Sequence, residues 1–304
     1  MLIYKSGLKN AIGAANIRRV APFSFAKNTT YGLGGNAVKA YYPKTSWQAK
    51  RVYDNLKNCG THFEIVGCGS NLLVADSGME GEVISTRELR GIIRLSENKL
   101  LCLAGTRISE LLAYCKKHYL GGLEYLYGIP ATVGGAAYMN AGVSGFAIGD
   151  NIIDVCVYDG KVSHLSNEKC NFGYRRSTMR DINALILSII VKVNAMSVQE
   201  VDERIAYFKN RRSHLPKGKS CGCVFKNPEG YSAGYLIDST GLKGFAIGGA
   251  RVSDVHADFI LNEGATAYEV KTLINLVKSR VLEKFGIELE EEVVYIGEFN
   301  DFNS

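Results

Sequence analysis

Apolar and polar positions follow two rhythms along this chain, one near the helical repeat and one that alternates or runs on as in strands. In "TSWQAKRVYDNLKNCG" a Thr-Ser start, apolar residues at Ala49, Val52, Tyr53 and Leu56, and a stop at Gly60 predict an amphipathic helix. A short strand, "FEIV", follows and runs into the turn "GCGSN". "VIS", "GIIRL" and "KLLCLAG" read as further strands, and a helix is expected from about Ile108 to His118. Two β-rich runs between Ile152 and Leu165 flank Asp159-Gly160, a two-residue hairpin signal. The apolar run "ALILSIIV" from Ala184 fits a buried strand that closes this region.

A new unit begins at Ser197. There "SVQE" is a capping box, and Val198, Val201, Ile205 and Phe208 fall on one face of the helix that follows. The stretch "RRSHLPKGKS" is basic and turn-rich, so an exposed loop is expected. Thr266 and Glu269 form a second capping box, with Val270, Leu273, Val277 and Val281 as the apolar stripe and Gly286 as the stop. "IELEEEVVYIG" reads as a final strand.

The 304 residues suit two domains, or one large α/β unit with an appendage. A net charge of +6 is compatible with an ordinary solvated surface and with a preference for anionic ligands. The first twenty positions lack the apolar core of a signal peptide. No apolar run is long enough to span a bilayer. Eight irregularly spaced cysteines in a chain of this length point to a reducing compartment, hence a cytoplasmic location, rather than to a disulfide scaffold. The basic residues form no nucleic-acid-reading module, and neither nucleic acid nor membrane is an expected partner.

Two glycine clusters carry candidate chemistry. In "EIVGCGSNLLV" a strand enters a turn where Gly67 and Gly69 let backbone amides approach a phosphate, with Ser70 and Asn71 as added donors. Leu72 stands where a dinucleotide-binding Rossmann turn needs its third glycine, and taken alone the loop can also be read as a tight turn between strands. The second cluster, "GIPATVGGAAYMNAG" from Gly128 to Gly142, suits backbone laid against a planar cofactor, although such loops also join packed helices. Two such loops in one region favour a nucleotide-containing cofactor. A third stretch, "GKSCGCVFKNP", sets Cys221 and Cys223 around one glycine. It can be half a metal site, a strained redox pair, or one working thiol beside a bystander. For a metal, His214 and His256 supply no second pair at ligand spacing, and none is expected.

"TTYGLGGNA", "IVGCGSNLLV", "GLEYLYGIPATVGGAAYMNAG", "FGYRRS", "CGCVFKNPEG", "AGYLIDSTGLKG" and "FGIELEEEV" occur together in one order. In that order and spacing the chain resembles the UDP-N-acetylenolpyruvoylglucosamine reductases, from about residue 24 to about residue 298. The short separation of "FGYRRS" from "CGCVFKNP" is similar to the branch without a long tyrosine-bearing insertion. The resemblance implies an α+β fold: a vanillyl-alcohol-oxidase-like FAD-binding domain of two α+β subdomains, followed by an α/β substrate-binding domain. The expected boundaries are 1–196 for the FAD-binding domain, with subdomains of about 1–88 and 89–196, and 197–304 for the substrate-binding domain.

The resemblance further implies noncovalent FAD, NADPH as hydride donor and UDP-N-acetylglucosamine enolpyruvate as substrate. The flavin would deliver hydride to C3, and a protein acid would protonate C2. It marks Arg175, Cys223 and Glu292 as catalytic. Gly67, Cys68, Gly69, Ser70, Asn71, Leu72, Ile129, Pro130, Thr132, Gly134, Gly135, Asn140 and Gly142 would contact the cofactor, and Tyr174, Arg211, Lys226 and Asn227 the substrate. The residue chemistry agrees for Arg175, whose planar guanidinium can grip a carboxylate with two prongs. For Glu292 only the motif separates it from Glu290 and Glu291. The chain departs from the family pattern at Cys68, usually glycine, at His214, commonly lysine, and at Cys223, where the family's proton-donating serine falls. The competing readings are another FAD-dependent oxidoreductase of this fold acting on a different sugar or alcohol, and a catalytically silent nucleotide-sugar-binding protein. The sequence is silent on oligomeric state, and a monomer is the default.

Overall fold

The computed structural model describes residues 17–143, 145–182 and 184–299. The amino-terminal stretch read above for a signal peptide lies almost entirely outside the described residues. Two sheets organise the first two thirds of the chain. One has the order Arg18–Val20, Lys39–Tyr42, Glu82–Ser85, Phe63–Val66, antiparallel at its outer pair and parallel elsewhere. Parallel strands need a crossover, and the helix Ser46–Asn58 provides it. Thr45 caps that helix by accepting from the Gln48 amide, and Ala49, Val52, Tyr53 and Leu56 are its buried face. It wedges this sheet against the second one.

The second sheet is antiparallel throughout, in the order Val162–Ser166, Ile152–Tyr158, Leu185–Lys192, Lys99–Leu103, Ile92–Ser96. Its central strand is the apolar run that the sequence marks as buried, with Leu185, Ile189 and Val191 fully enclosed. The hairpin at Asp159-Gly160 is present, but Lys161 also stays outside the ladder, because Tyr158 pairs with Val162. Gly160, at φ 110°, supplies the left-handed backbone that this wider turn requires.

In the remaining third a three-stranded antiparallel sheet, Ala246–Ile247, Ala250–Val252 and Ile260–Asn262, packs beside the helix Ala267–Phe285. Thr266 and Glu269 close the capping box, and Gly286 ends the helix in the left-handed region. Val270, Leu273, Val277 and Val281 are each at most 1% exposed. Among the described residues no helix is long and apolar enough to cross a membrane.

Two elements differ from expectation. The helix Val198–Ser213 has its capping box at Ser197, but Val198 projects into solvent and only Val201 and Phe208 are buried. It lies on the segment Glu124–Leu126 and the helix Ile108–Lys117 of the first two thirds, where Arg204 reaches the buried Glu124 at 3.2 Å. Its first turn overhangs that contact, which frees Val198. The tail forms a strand only at Val294–Ile296, and that strand pairs in parallel with Leu72–Val74. Residues 290–293 spend their hydrogen bonds on Val224 and Lys226 instead.

The three hydrophobic cores interlock at this tail. Ile296 belongs to the core of the first sheet, while Leu73 and Tyr31 belong to the core of the Ala267–Phe285 helix. Thr266→Ala removes the hydroxyl that accepts from the Glu269 amide at 3.1 Å and should cost about 1 kcal/mol of stability. The check is a lower urea midpoint with an unchanged slope.

Candidate active site

Three backbone strips lie side by side at the centre of the molecule. Residues 223–226 run between the 258–259 strip and the 290–293 strip. On one side the Val224 amide donates to the Asp258 carbonyl at 2.9 Å and Cys223 bridges to Phe259. On the other the Lys226 amide donates to the Glu290 carbonyl at 2.8 Å and the Glu292 amide to the Val224 carbonyl at 2.7 Å. Gly222, at φ 88°, makes the bend between the two cysteines that a side chain would strain. Cys221 consequently packs into the core around the Ala267–Phe285 helix with an edge on a cavity of about 620 Å³, and Cys223 lines that same cavity outside the core.

Extended backbone sends the three glutamates in different directions. Glu290 is exposed and pairs with Lys226. Glu291 faces the long helix and pairs with Lys278 at 2.9 Å and Lys271 at 3.4 Å. Glu292 enters the cavity, where its Oε1 accepts from Arg175 Nε at 2.7 Å.

Arg175 has a left-handed backbone, φ 54°, inside a tight turn closed by mutual hydrogen bonds between Gly173 and Arg176. A non-glycine residue there costs on the order of 1–3 kcal/mol and persists only where its surroundings over-determine it. They do so here: Nη2 donates to the Gly142 carbonyl at 3.1 Å, and Arg180 donates to the Arg175 carbonyl at 2.8 Å. Burial pushes the Cys223 thiol well above its ordinary range, the nearby Asp258 and Glu292 carboxyls push it further, and Arg175 opposes them. Cys223 is therefore a neutral thiol. Burial also raises Glu292, against the pull of Arg175.

The two glycine loops face each other across this cavity. Gly67, Cys68, Gly69, Ser70, Asn71 and Leu72 line one side, and Ile129, Pro130, Thr132, Gly134, Gly135 and Gly142 the other. They nearly touch, since a Cβ on Gly67 would lie 2.5 Å from Thr132 Oγ1. Arg87 fixes the first loop by donating to the carbonyls of Gly67 and Cys68 at 2.9 and 2.8 Å. Among the described residues, no protein acceptor engages the amides of Gly67 through Asn71. A loop held by its carbonyls, with its amides unspent, fits the diphosphate of FAD. Asn71 joins the loop to the strip that carries Glu292: its Nδ2 donates to the Glu292 carbonyl at 3.0 Å, and its own carbonyl accepts from the Val294 amide at 3.0 Å.

The structure thus brings Arg175, Cys223 and Glu292 together with every expected cofactor residue except Asn140. Asn140 lies behind the wall, accepting from the Gly149 amide at 2.9 Å and donating to the Gly173 carbonyl at 2.8 Å. It braces the turn that carries Arg175. None of Tyr174, Arg211, Lys226 and Asn227 lines the cavity. Tyr174 is exposed and its hydroxyl accepts from the Asn227 amide at 3.3 Å. Arg211 is turned away toward Tyr207 at 3.0 Å. Its neighbour Arg212 lines the cavity instead and donates to the Gly128 carbonyl at 3.3 Å. Successive helical residues point about 100° apart, so one step decides which arginine looks inward. The basic loop is correspondingly not all solvent-facing, because Leu215, Pro216, Gly218 and Ser220 also form cavity wall. Arg87 and Asp258 had no signal in the sequence beyond their charge.

The chain as a whole is similar to known proteins. Residues 213–296 match the family model of the UDP-N-acetylenolpyruvoylglucosamine reductase C-terminal domain, and residues 37–165 match an FAD binding domain. The UDP-N-acetylenolpyruvoylglucosamine reductase of Moorella thermoacetica is 41% identical over 278 residues, covering 90% of this chain and 91% of that one. Its counterpart in Clostridium botulinum is 38% identical over 280 residues, with 90% and 91% covered. The crystal structure of a UDP-N-acetylenolpyruvylglucosamine reductase from Thermus caldophilus is similar at a TM-score of 0.77 and 35% identity, covering 93% of this chain and 99% of that one. With relatives matched almost from end to end, the chain belongs to the UDP-N-acetylenolpyruvoylglucosamine reductase family.

Proposed function

We propose that this chain reduces UDP-N-acetylglucosamine enolpyruvate to UDP-N-acetylmuramate, a step of peptidoglycan synthesis, with NADPH as reductant and FAD held without a covalent bond. The observation that carries this reading is one cavity in which both glycine loops meet Arg175, Cys223 and Glu292. When bound, FAD supplies the hydride chemistry, taking hydride from NADPH and passing it to C3 of the enolpyruvyl group.

The chain's own residues bind, orient and protonate. Arg175 spends one donor on Glu292 and one on the Gly142 carbonyl, and its remaining donors serve the substrate carboxylate. That grip stabilises the negative charge that develops at C2 and the carboxylate as hydride adds to C3. Glu292 keeps the guanidinium in plane for the task. Cys223, held neutral by burial, gives its proton to C2. Arg212 at the cavity wall is a better placed cation than Arg211 for the anionic nucleotide, while Tyr174, Lys226 and Asn227 form an outer rim for the sugar nucleotide. The division of labour gives residues 1–196 to the cofactor and 197–304 to the substrate, with the helix Val198–Ser213 docked on the cofactor side. The reaction belongs in the cytoplasm, where NADPH is available.

Acid precipitation should release yellow flavin into the supernatant; flavin retained in the pellet would overturn the noncovalent assignment. Arg175→Lys keeps the charge but loses the planar fork, so reoxidation of reduced flavin by substrate should slow by about a hundredfold. Reduction by NADPH should change little in the same stopped-flow traces, and equal losses in both half-reactions would make Arg175 structural. Cys223→Ala should still let NADPH bleach the flavin but lose about 10²–10⁴ in reoxidation by substrate, with Cys223→Ser in between. A fully active Cys223→Ala enzyme would refute the proton-donor role.

A further inference from the structure

Next to Cys223, and outside the cavity lining, stands a carboxyl group that the steps above leave unused. Asp258 is 3% exposed, and its Oδ1 accepts from the Phe225 amide at 2.9 Å. Its carboxyl lies beside the Cys223 thiol and interacts with it. The backbone fixes this contact from both directions, because Val224 donates to the Asp258 carbonyl and Cys223 bridges to Phe259. No lysine or arginine makes an ion pair with Asp258 among the described residues. Buried carboxyls without a cation are costly as anions and are retained at few places other than working sites.

We propose that Asp258 is the positioning residue for Cys223: its protonated carboxyl donates to Sγ, leaves the S–H free to point into the cavity, and reprotonates sulfur after the thiol has acted. This rests on Cys223 being the proton donor. As the Cys223 proton joins C2, the S–H electron pair stays on sulfur. The Asp258 O–H proton then moves to sulfur, and the carboxylate left behind keeps the Phe225 amide as its donor. Water entering the cavity after product leaves returns a proton to the pair. Burial holds the Asp258 carboxyl up at about 8, so it carries its proton at neutral pH. The groups that face it are Cys223, Cys221 and Glu292; Glu292 adds to the rise, while the Phe225 amide, the Cys223 thiol and the Val224 amide oppose it. His256 accepts from the Asp258 amide at 3.3 Å and is itself kept neutral by burial.

The test is the pH dependence of Cys223 alkylation by iodoacetamide in the FAD-loaded enzyme, comparing wild type with Asp258→Asn and using Cys223→Ala to subtract other thiols. Asparagine preserves the shape and the acceptor for Phe225 but removes the negative charge that forms beside sulfur at high pH. The alkylation midpoint should fall by about one unit or more, which is about tenfold faster reaction below the wild-type midpoint. Substrate reoxidation of reduced flavin should slow while NADPH reduction does not. Identical alkylation profiles would overturn the role of Asp258 whatever Cys223 does. Should Asp258→Asn fail to fold, infrared difference spectra of wild type against Cys223→Ala replace it: a protonated-carboxyl band that shifts supports the contact, and an unshifted band overturns it. Loss of the Cys223 role itself would show separately, as full turnover by Cys223→Ala.

Discussion

The parallel pairing of Val294–Ile296 with Leu72–Val74 is the contact on which the site depends. It spans more than two hundred residues of sequence and is only three residues long. Its strength comes less from the ladder than from the side chains beneath it: Leu73, Val74 and Ile296 are 0%, 1% and 6% exposed, worth roughly 1.5–3 kcal/mol each. The same pairing sets Asn71, the last residue of the phosphate-type loop, against the backbone of Glu292. Residues 67–71 and the Glu292 carboxylate are thereby held next to each other, and Arg175 reaches Glu292 from a third segment.

Burial, rather than net charge, governs the chemistry of the cavity. Glu292 has a partly buried arginine at ion-pair distance and is still raised above its ordinary value, so desolvation outweighs attraction there. At Cys223 the balance tips further, because burial and two nearby carboxyls outweigh the pull of Arg175, even with Arg212 also within electrostatic reach. A site built to form a thiolate would place cations around sulfur. This one surrounds sulfur with acids, which suits a thiol that gives a proton and recovers it.

Much of the fold was legible in local pattern. The helices Ser46–Asn58 and Ala267–Phe285 were readable from their caps and stripes because their whole apolar faces are buried. The helix Val198–Ser213 was only half readable, since its contact covers Val201 and Phe208 and stops short of Val198. The tail misled for a different reason. Its alternation is real, but the partners of residues 290–293 are the irregular 223–226 strip, a nonlocal choice that no local pattern records. Within the site, the glycine loops and the motif-borne Arg175, Cys223 and Glu292 stood out in the sequence, whereas Arg212 over Arg211 turned on helix rotation. Asp258 sits in "HADFIL", where an acid between apolar residues reads as a surface position until the fold closes over it.

The pairing of Leu72–Val74 with Val294–Ile296 also has a consequence in time. A chain leaving the ribosome exposes its glycine loops, the Arg175 turn and the two cysteines long before Glu292 emerges. Until then Leu73 and Val74 lack their covering strand and Arg175 lacks the carboxylate that anchors its guanidinium. Both glycine loops and the Arg175 turn thus precede, in order of synthesis, the strand and the carboxylate that complete their surroundings.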